Sequence, residues 1–453
     1  MKGFLNENKI NYLLYHLALT VNIDELRKSL VFIENNKEIN TYTNKIIFLL
    51  SDEEFKTENI FVYKEIPILF GNNNKKELYT IENSNLIFNH DILKSAFYLL
   101  SGYQEITSDK KDHFGRFPFK GSLHDTLKII DKPIVNYYFK FIVEAVNLFL
   151  NPNSLKKKNV FNNYALILTH DIDHVDYYTV NKFLYKIKEL LGLAKTNLQK
   201  SDILKYMFNY LSFSSDNPYW NFDEFIELES KYGFKSSFYF LKKAQKHVDS
   251  TYNFSDKKIK RAFELIKQNA CEIGLHGTVG SSKNKEELKQ QKAELEKQAA
   301  ITVKGGRQHR LMFETPSTLL NHEFATLSYD SSLCFAEHEG FRNSFCLPFK
   351  LYDFDNDKMI NVWEFPLIAM DTTLFHYQKY NKEEAFAAID NLISEIKQFS
   401  GVLTLLFHNG FESAYPKASL NNFYEDLLFN LKKTKVENLL AKDLVEKLNV
   451  VID

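Results

Sequence analysis

At 453 residues the chain has room for two domains, since single cores usually stop growing near about 250–300 residues. Its 57 Lys+Arg against 58 Asp+Glu give a formal charge of −1, which excludes a global basic field for nucleic acid and an acidic excess pointing to disorder. Three cysteines (Cys271, Cys334 and Cys346) without CxxC spacing exclude a disulfide framework and a thiolate zinc site, and fit a reducing compartment. The start, "MKGFLNENKINYLLYHLALTV", lacks a basic opening, a continuous apolar core and a small-residue cleavage site, and nowhere do about 18 apolar residues run together. A cytoplasmic protein with no transmembrane segment is expected.

In chain order, "KIIFLL" and "IPILFG" read as short buried strands. Ile92, Leu93, Ala96, Phe97, Leu99 and Leu100 of "DILKSAFYLLSGY", like the apolar residues of "PIVNYYFKFIVEAVNLFL", recur at helical spacing. This predicts a mixed α/β unit without obvious chemistry. The polar stretch "NPNSLKKKNVFNN", Asn151 to Asn163, marks a boundary, giving domains over 1–155 and 160–453.

After the boundary, strand "ALILT" is followed by a long helical region and strand "SSFYFL". A helix with Ser255 as N-cap then leads to strand "CEIGLH", helix "NKEELKQQKAELEKQAA" and the segment "ITVKGGRQHRL". Strand "NVWEFPL", helix "KEEAFAAIDNLISEIKQF" and strand "GVLTLLFH" complete the pattern. Strands separated by helical crossovers imply a parallel sheet, barrelled or doubly wound.

Several strand ends carry polar residues: His170-Asp171-Ile172-Asp173, His276, Arg307 with His309, Glu364 and His408. In α/β barrels the active site gathers at the carboxyl ends of the strands. Asp171 and Asp173, two apart, project to the same side, and adjacent carboxylates repel unless a cation or a shared proton neutralises them. One aspartate and His276 on a divalent metal, with the other aspartate free as a base, is one way to build a water-activating site. His408 is then a candidate general acid and Arg307 a candidate to orient the free aspartate. A lone DxD is common on surface loops. His170 and His174 read as solvated loop histidines, and Cys334 and Cys346 as inert small hydrophobes.

From about Ala165 to Phe411 the sequence resembles the polysaccharide deacetylases, the NodB-homology or carbohydrate esterase family four group. The carrying motifs are "THDID", "EIGLHG", "GGRQH" and "LLFH", together with "LSYDSSL" and "GFRNSFCLPF". The resemblance implies a distorted (β/α) barrel of the NodB type, with Asp171 as catalytic base, Asp173 and His276 as metal ligands, Arg307 bracing the base and His408 as acid. The family's second metal-binding histidine, four residues after the first, is Gly280 here, and "RQHRL" lacks the prolines that normally follow the arginine. His309 is the preferred compensating ligand, with His174 in reserve. The N-terminal portion, with "DHFGRFPF" and "KPIVNYYF", is similar to a domain of unassigned function that precedes such domains in some bacterial proteins.

What the resemblance implies is a metal-dependent hydrolase removing N-acetyl groups from an amino-sugar-containing glycan or glycan precursor. The expected cofactor is a divalent metal, zinc first, with cobalt, nickel or manganese able to replace it in vitro. The expected partner is a carbohydrate, not nucleic acid. A metal-independent cyclic amide hydrolase on the same fold and a non-catalytic carbohydrate-binding homologue stay open. Asp330 and Asp371 are both candidates to hold His408. "FHYQKY", "HNGFES" and the Phe341-Arg342 pair could stack on sugars.

Overall fold

The structure is a computed structural model describing residues 4–151, 154–158, 160–196, 198–212, 217–245, 248–411 and 422–452. Near the N-terminus, β1 (Leu30–Ile33) and β2 (Ile46–Leu49) pair in parallel. A small antiparallel hairpin of β3 (Phe61–Tyr63) and β4 (Ile66–Ile68) follows. Then β5 (Tyr79–Glu82) lies antiparallel to β6 (Asn85–Phe88), which joins β2 in parallel. The helix Ile134–Phe149 packs its apolar stripe, including Tyr138, Ile142 and Val146, into this unit. Its buried positions recur three and four apart, as an amphipathic helix requires.

The rest of the chain builds one large sheet. Its strands are β7 (Ala165–Ile172), β8 (Ser236–Leu241), β9 (Glu272–Gly277), β10 (Gly305–Gln308) and β11 (Tyr329–Asp330), followed by β12 (Phe349–Asp353), β13 (Lys358–Glu364), β14 (Ala369–Met370), β15 (Val402–Leu406) and β16 (Glu437–Asn438). The order is β12-β13-β11-β10-β9-β8-β7-β15-β14, with β16 beside β7. Every residue of β7, β8, β9, β10 and β15 is buried, as expected of a parallel sheet covered on both faces. β12 and β14 do not pair with each other among the described residues, so the sheet curls into a half barrel. The fold is mixed α/β, and the large sheet departs from all-parallel pairing once, where β12 runs antiparallel to β13 at the edge.

"GG" before Arg307 has a steric cause. A Cβ on Gly306 would lie 1.7 Å from the Leu275 carbonyl oxygen of β9 and one on Gly305 2.4 Å from the Tyr329 carbonyl oxygen of β11, so β10 fits closely between its two neighbours only because both side chains are absent. That closeness sets Arg307 in register with His276. One hydrophobic core runs from Leu5 and Phe97 through Ile167, Tyr239 and Trp363 to Leu448, so the N-terminal strands and helices share packing with the large sheet. A second core fills the opposite face, beneath the helices, around Phe238, Phe263 and Ile396.

The helix predicted to open at Ser255 begins instead at Lys257 with Asp256 as N-cap. The Asp256 carboxylate receives the Asn253 N–H at 2.9 Å, so its side chain closes the preceding turn rather than capping the helix. No described helix is long and apolar enough to cross a membrane.

Candidate active site

The carboxyl ends of β7, β9, β10 and β15 converge on a cleft of about 200 Å³ whose lining includes Asp171, Asp173, His276, His309 and His408. Arg307 lies beneath it, 1 % exposed, and every arm of its guanidinium is used. Nη1 donates to Asp171 Oδ1 at 2.8 Å and to Thr169 Oγ1 at 3.1 Å. Nε donates to the Ser331 carbonyl at 2.6 Å and Nη2 to Ser331 Oγ at 3.0 Å. Burial disfavours the charged guanidinium, but Asp171, with Tyr239 and Asp330, raises its pKa. The charge therefore stays, and it fixes one oxygen of Asp171 while leaving Oδ2, 3.5 Å from His276 Nε2, to face the cleft.

Asp173 is different. Its Oδ1 is buried without a hydrogen bond, a costly state for a carboxylate oxygen unless a cation faces it. His276 Nε2 lies 3.4 Å from it and His309 Nε2 3.8 Å. One ligand atom from each of Asp173, His276 and His309 falls within 4.8 Å of the others. Both imidazoles are held by their other nitrogen. His276 Nδ1 meets the Arg307 carbonyl at 2.9 Å and His309 Nδ1 meets Asp249 Oδ1 at 3.0 Å. Since those partners only accept, each Nδ1 carries a proton, which leaves Nε2 as the atom that would offer a lone pair to a metal in the shared space. Two oriented imidazoles around one orphaned carboxylate oxygen are a donor set that fits a divalent cation.

The local field agrees. Burial alone would raise the Asp173 carboxyl, yet His309, His276 and His408 together hold it well below the usual carboxylate range. Burial would lower His276, but Asp171 and Asp173 raise it above its ordinary value. The same negative field that retains a proton there attracts a cation.

At the end of β15, the strand beside β7, His408 Nδ1 bonds Asp371 Oδ1 at 2.7 Å, and the His408 backbone N–H donates to Asp371 Oδ2 at 2.8 Å. Burial disfavours the imidazolium, but Asp371, with help from Asp173 and Asp171, pushes His408 up to about 10. Asp371 is thus the partner. Asp330 instead receives the Ser332 N–H and hydroxyl and faces His322 at 3.3 Å.

Comparison with known proteins adds context. Residues 5–150 match the family described as "Family of unknown function (DUF7033)". No curated protein matches the chain. Among solved structures, it is similar to a "probable Polysaccharide deacetylase" from Pseudomonas aeruginosa PAO1, with 14% identity, 63% of this chain and 90% of that one covered, and a TM-score of 0.41. It is also similar to an allantoinase (12%, 63% and 89%, 0.41) and to a wild-type CE4 family pseudoenzyme from Bacillus anthracis (12%, 63% and 66%, 0.30). At scores this low the likeness carries no chemistry across, and the functional reading rests on this chain's own side chains.

The structure brings Asp171, Asp173, His276, Arg307, His309 and His408 together, and it departs from the sequence reading elsewhere. His170 is no solvated loop residue: it is fully buried on β7, with Nε2 2.7 Å from Glu229 Oε1 and Nδ1 2.8 Å from the Phe407 carbonyl. The strand continues past Thr169, which carries His170 inward. His174 is exposed and stands outside the cluster of ligand atoms. A side chain at Gly280 would begin 3.1 Å from the Glu287 carboxylate.

Glu364 is buried beside Asp330, not in the cleft, and burial and that neighbour push its carboxyl well above the usual range. Phe341 and Arg342 are buried too, Arg342 forming a two-pronged pair with Glu105 at 2.8 Å, so neither stacks on a ligand. Tyr377 of "FHYQKY" does line the cleft. Positions 412 and 413 of "HNGFES" lie outside the described residues. Cys334 and Cys346 are free and buried, and burial raises both thiols.

Other contributors were not foreseen. Phe114 and Arg116, from the N-terminal unit, line the cleft beside Arg310. Arg116 is paired with Asp112 at 2.7 Å and donates to the Arg310 carbonyl at 2.7 Å. Asp249, which orients His309, lies in the loop after β8.

Proposed function

We propose that this chain is a metal-dependent hydrolase that removes N-acetyl groups from an amino-sugar-containing glycan or glycan precursor. The observation that carries the reading is the unpartnered Asp173 Oδ1 facing two imidazole Nε2 atoms, accompanied by a carboxylate braced by Arg307 and an imidazole linked to a buried carboxylate. Asp173, His276 and His309 would hold the ion. A divalent cation bound there supplies Lewis-acid polarisation of an acyl oxygen and lowers the pKa of water.

The remaining chemistry belongs to the chain. Asp171 is kept from rotating by Arg307 and accepts the proton of the attacking water on Oδ2. His408, held protonated by Asp371 across neutral pH, donates from Nε2 to the departing amine nitrogen. The low exposure of Arg307 and Asp371 keeps both charged contacts out of competing water, where they are stronger. Roles are thus divided between a carboxylate braced by Arg307 at the end of β7 and an imidazole braced by Asp371 at the end of β15, the first accepting a proton and the second donating one.

The metal-free alternative drew its force from the glycine at position 280. His309, oriented by Asp249 toward Asp173, supplies the donor that the glycine cannot, which favours the metal-dependent reading. The test is acetate release by zinc-loaded protein from a panel of N-acetylated amino sugars, glycans and nucleotide sugars. Release from any member supports the reading, and release from none across zinc, cobalt, nickel and manganese retires it.

A further inference from the structure

We propose that the helical hairpin of Val180–Leu190 and Lys200–Leu211 docks this protein onto an anionic lipid surface. Nine of the 17 large apolar side chains exposed among the described residues fall between positions 180 and 211. They are ordered. Val180, Leu184 and Leu191 recur four and seven residues apart along the first helix and its C-cap, and Leu204, Phe208 and Leu211 four and three apart along the second, with Phe208 70 % exposed. The turn between adds Leu193, 74 % exposed.

The polarity of the first helix is inverted relative to an ordinary surface helix. Lys186 and Glu189 pair at 2.6 Å and are buried, while Val180 and Leu184 are exposed. Lys182 lies 3.5 Å from the centre of the Tyr177 ring, and Phe183 stacks on Tyr210 at 4.4 Å. The hairpin therefore has a settled inner face, and the apolar outer face is left over rather than misplaced.

Charge decides the occupant. Positions 180–211 hold six lysines against two carboxylates, Glu189 and Asp202, in a chain whose total charge is −1. Lys188, Lys195, Lys200 and Lys205 are exposed beside the apolar stripe. An isologous contact with a second copy would set this cationic face against itself. An apolar stripe flanked by lysines instead matches a helix lying in the interface of a bilayer, with its leucines below the headgroups and its lysines among anionic ones. The base of the hairpin is tied to the chain leaving the Asp171–Asp173 strand end: Asn217 donates to the Val175 carbonyl at 2.8 Å and receives the Tyr177 N–H at 3.1 Å. Docking would hold the cleft in a fixed relation to the lipid surface. The inference goes beyond the hydrolase reading and does not depend on it.

The test is co-sedimentation of the full chain with vesicles of phosphatidylcholine alone and of phosphatidylcholine mixed with phosphatidylglycerol. The expected result is salt-sensitive binding to the mixed vesicles and little to the neutral ones. Lys195→Gln with Lys200→Gln should weaken partitioning about five-fold per lysine, and Leu204→Asn with Phe208→Asn about ten-fold or more. All four positions are exposed, so circular dichroism and melting temperature should match the parent. Absence of binding to both vesicle types overturns the proposal. So does a concentration-dependent dimer, seen by light scattering, that the Leu204→Asn, Phe208→Asn variant converts to monomer, because a second copy would then cover the face.

Discussion

Replacing Asp249 by asparagine removes the charge that orients one of the two imidazoles in the candidate metal site while leaving every proposed ligand in place. His309 Nδ1 donates to Asp249 Oδ1 at 3.0 Å, and the same oxygen accepts the Val279 N–H at 3.1 Å while Oδ2 accepts the Gln245 N–H at 3.0 Å. Burial would raise the Asp249 carboxyl, but His309 and these two N–H groups hold it below the usual range, so the bond to His309 is charge-assisted and about twice as strong as its neutral counterpart. An amide can occupy the space and keep one contact, but it contributes less to the basicity of Nε2 and can rotate so that its NH₂ meets Nδ1. Loss of such a partner typically costs about 10–100-fold in metal affinity, or roughly 1.4–2.7 kcal/mol. Competition titration of zinc against a chromophoric chelator measures this directly, with His309→Ala as the reference for loss of the whole ligand. An Asp249→Asn affinity within about two-fold of the parent, or a His309→Ala variant that keeps full affinity, would refute the assignment.

Three further outcomes follow from the same geometry. Asp371→Asn removes the main group raising His408, whose pKa is pushed up to about 10; the alkaline limb of the pH–rate profile should move to lower pH, and an unmoved limb assigns the acid elsewhere. His124 is buried and neutral, its pKa lowered to about 3 by burial and by Arg342. The unfolded chain takes up that proton near pH 6.5 and the folded chain does not, so this residue's stability contribution is full above about pH 6.5 and is lost as pH falls toward 3. His124→Gln should flatten the pH dependence of urea unfolding in that window by about 1.4 kcal/mol per pH unit, and an unchanged slope counts against it. Glu105→Ala strands the buried Arg342 guanidinium and should cost about 3–5 kcal/mol in urea unfolding, whereas Glu105→Gln with Arg342→Met should cost much less; equal losses would contradict the stranded-charge explanation.

Much of this site was legible because chemistry-bearing residues at the ends of apolar strands are conspicuous. Buried strands read as apolar runs, and Asp171, His276 and His408 interrupt such runs at their carboxyl ends. Arg307 was visible through "GG", whose missing side chains let β10 fit between β9 and β11. His309 could be ranked only because a glycine stood at 280. What stayed hidden depended on contacts between distant segments. Asp249 lies sixty positions from His309, in a loop with no periodicity, and the choice of Asp371 over Asp330 required knowing which loop returns to His408. Phe114 and Arg116 sit in the N-terminal unit, so their place in the cleft follows from packing between units. His170 was misread because its neighbours Asp171 and Asp173 suggested that the strand had already ended.

The account depends most on Asp171 and Asp173, two residues apart at one strand end, having different jobs. Comparing Asp171→Asn with Asp173→Asn, each by zinc stoichiometry and by acetate release from whichever substrate the parent hydrolyses, tests that division. Asp171→Asn should still bind zinc one to one and release no acetate, while Asp173→Asn should lose both. Turnover surviving in Asp171→Asn, or zinc bound normally by Asp173→Asn, would contradict the account.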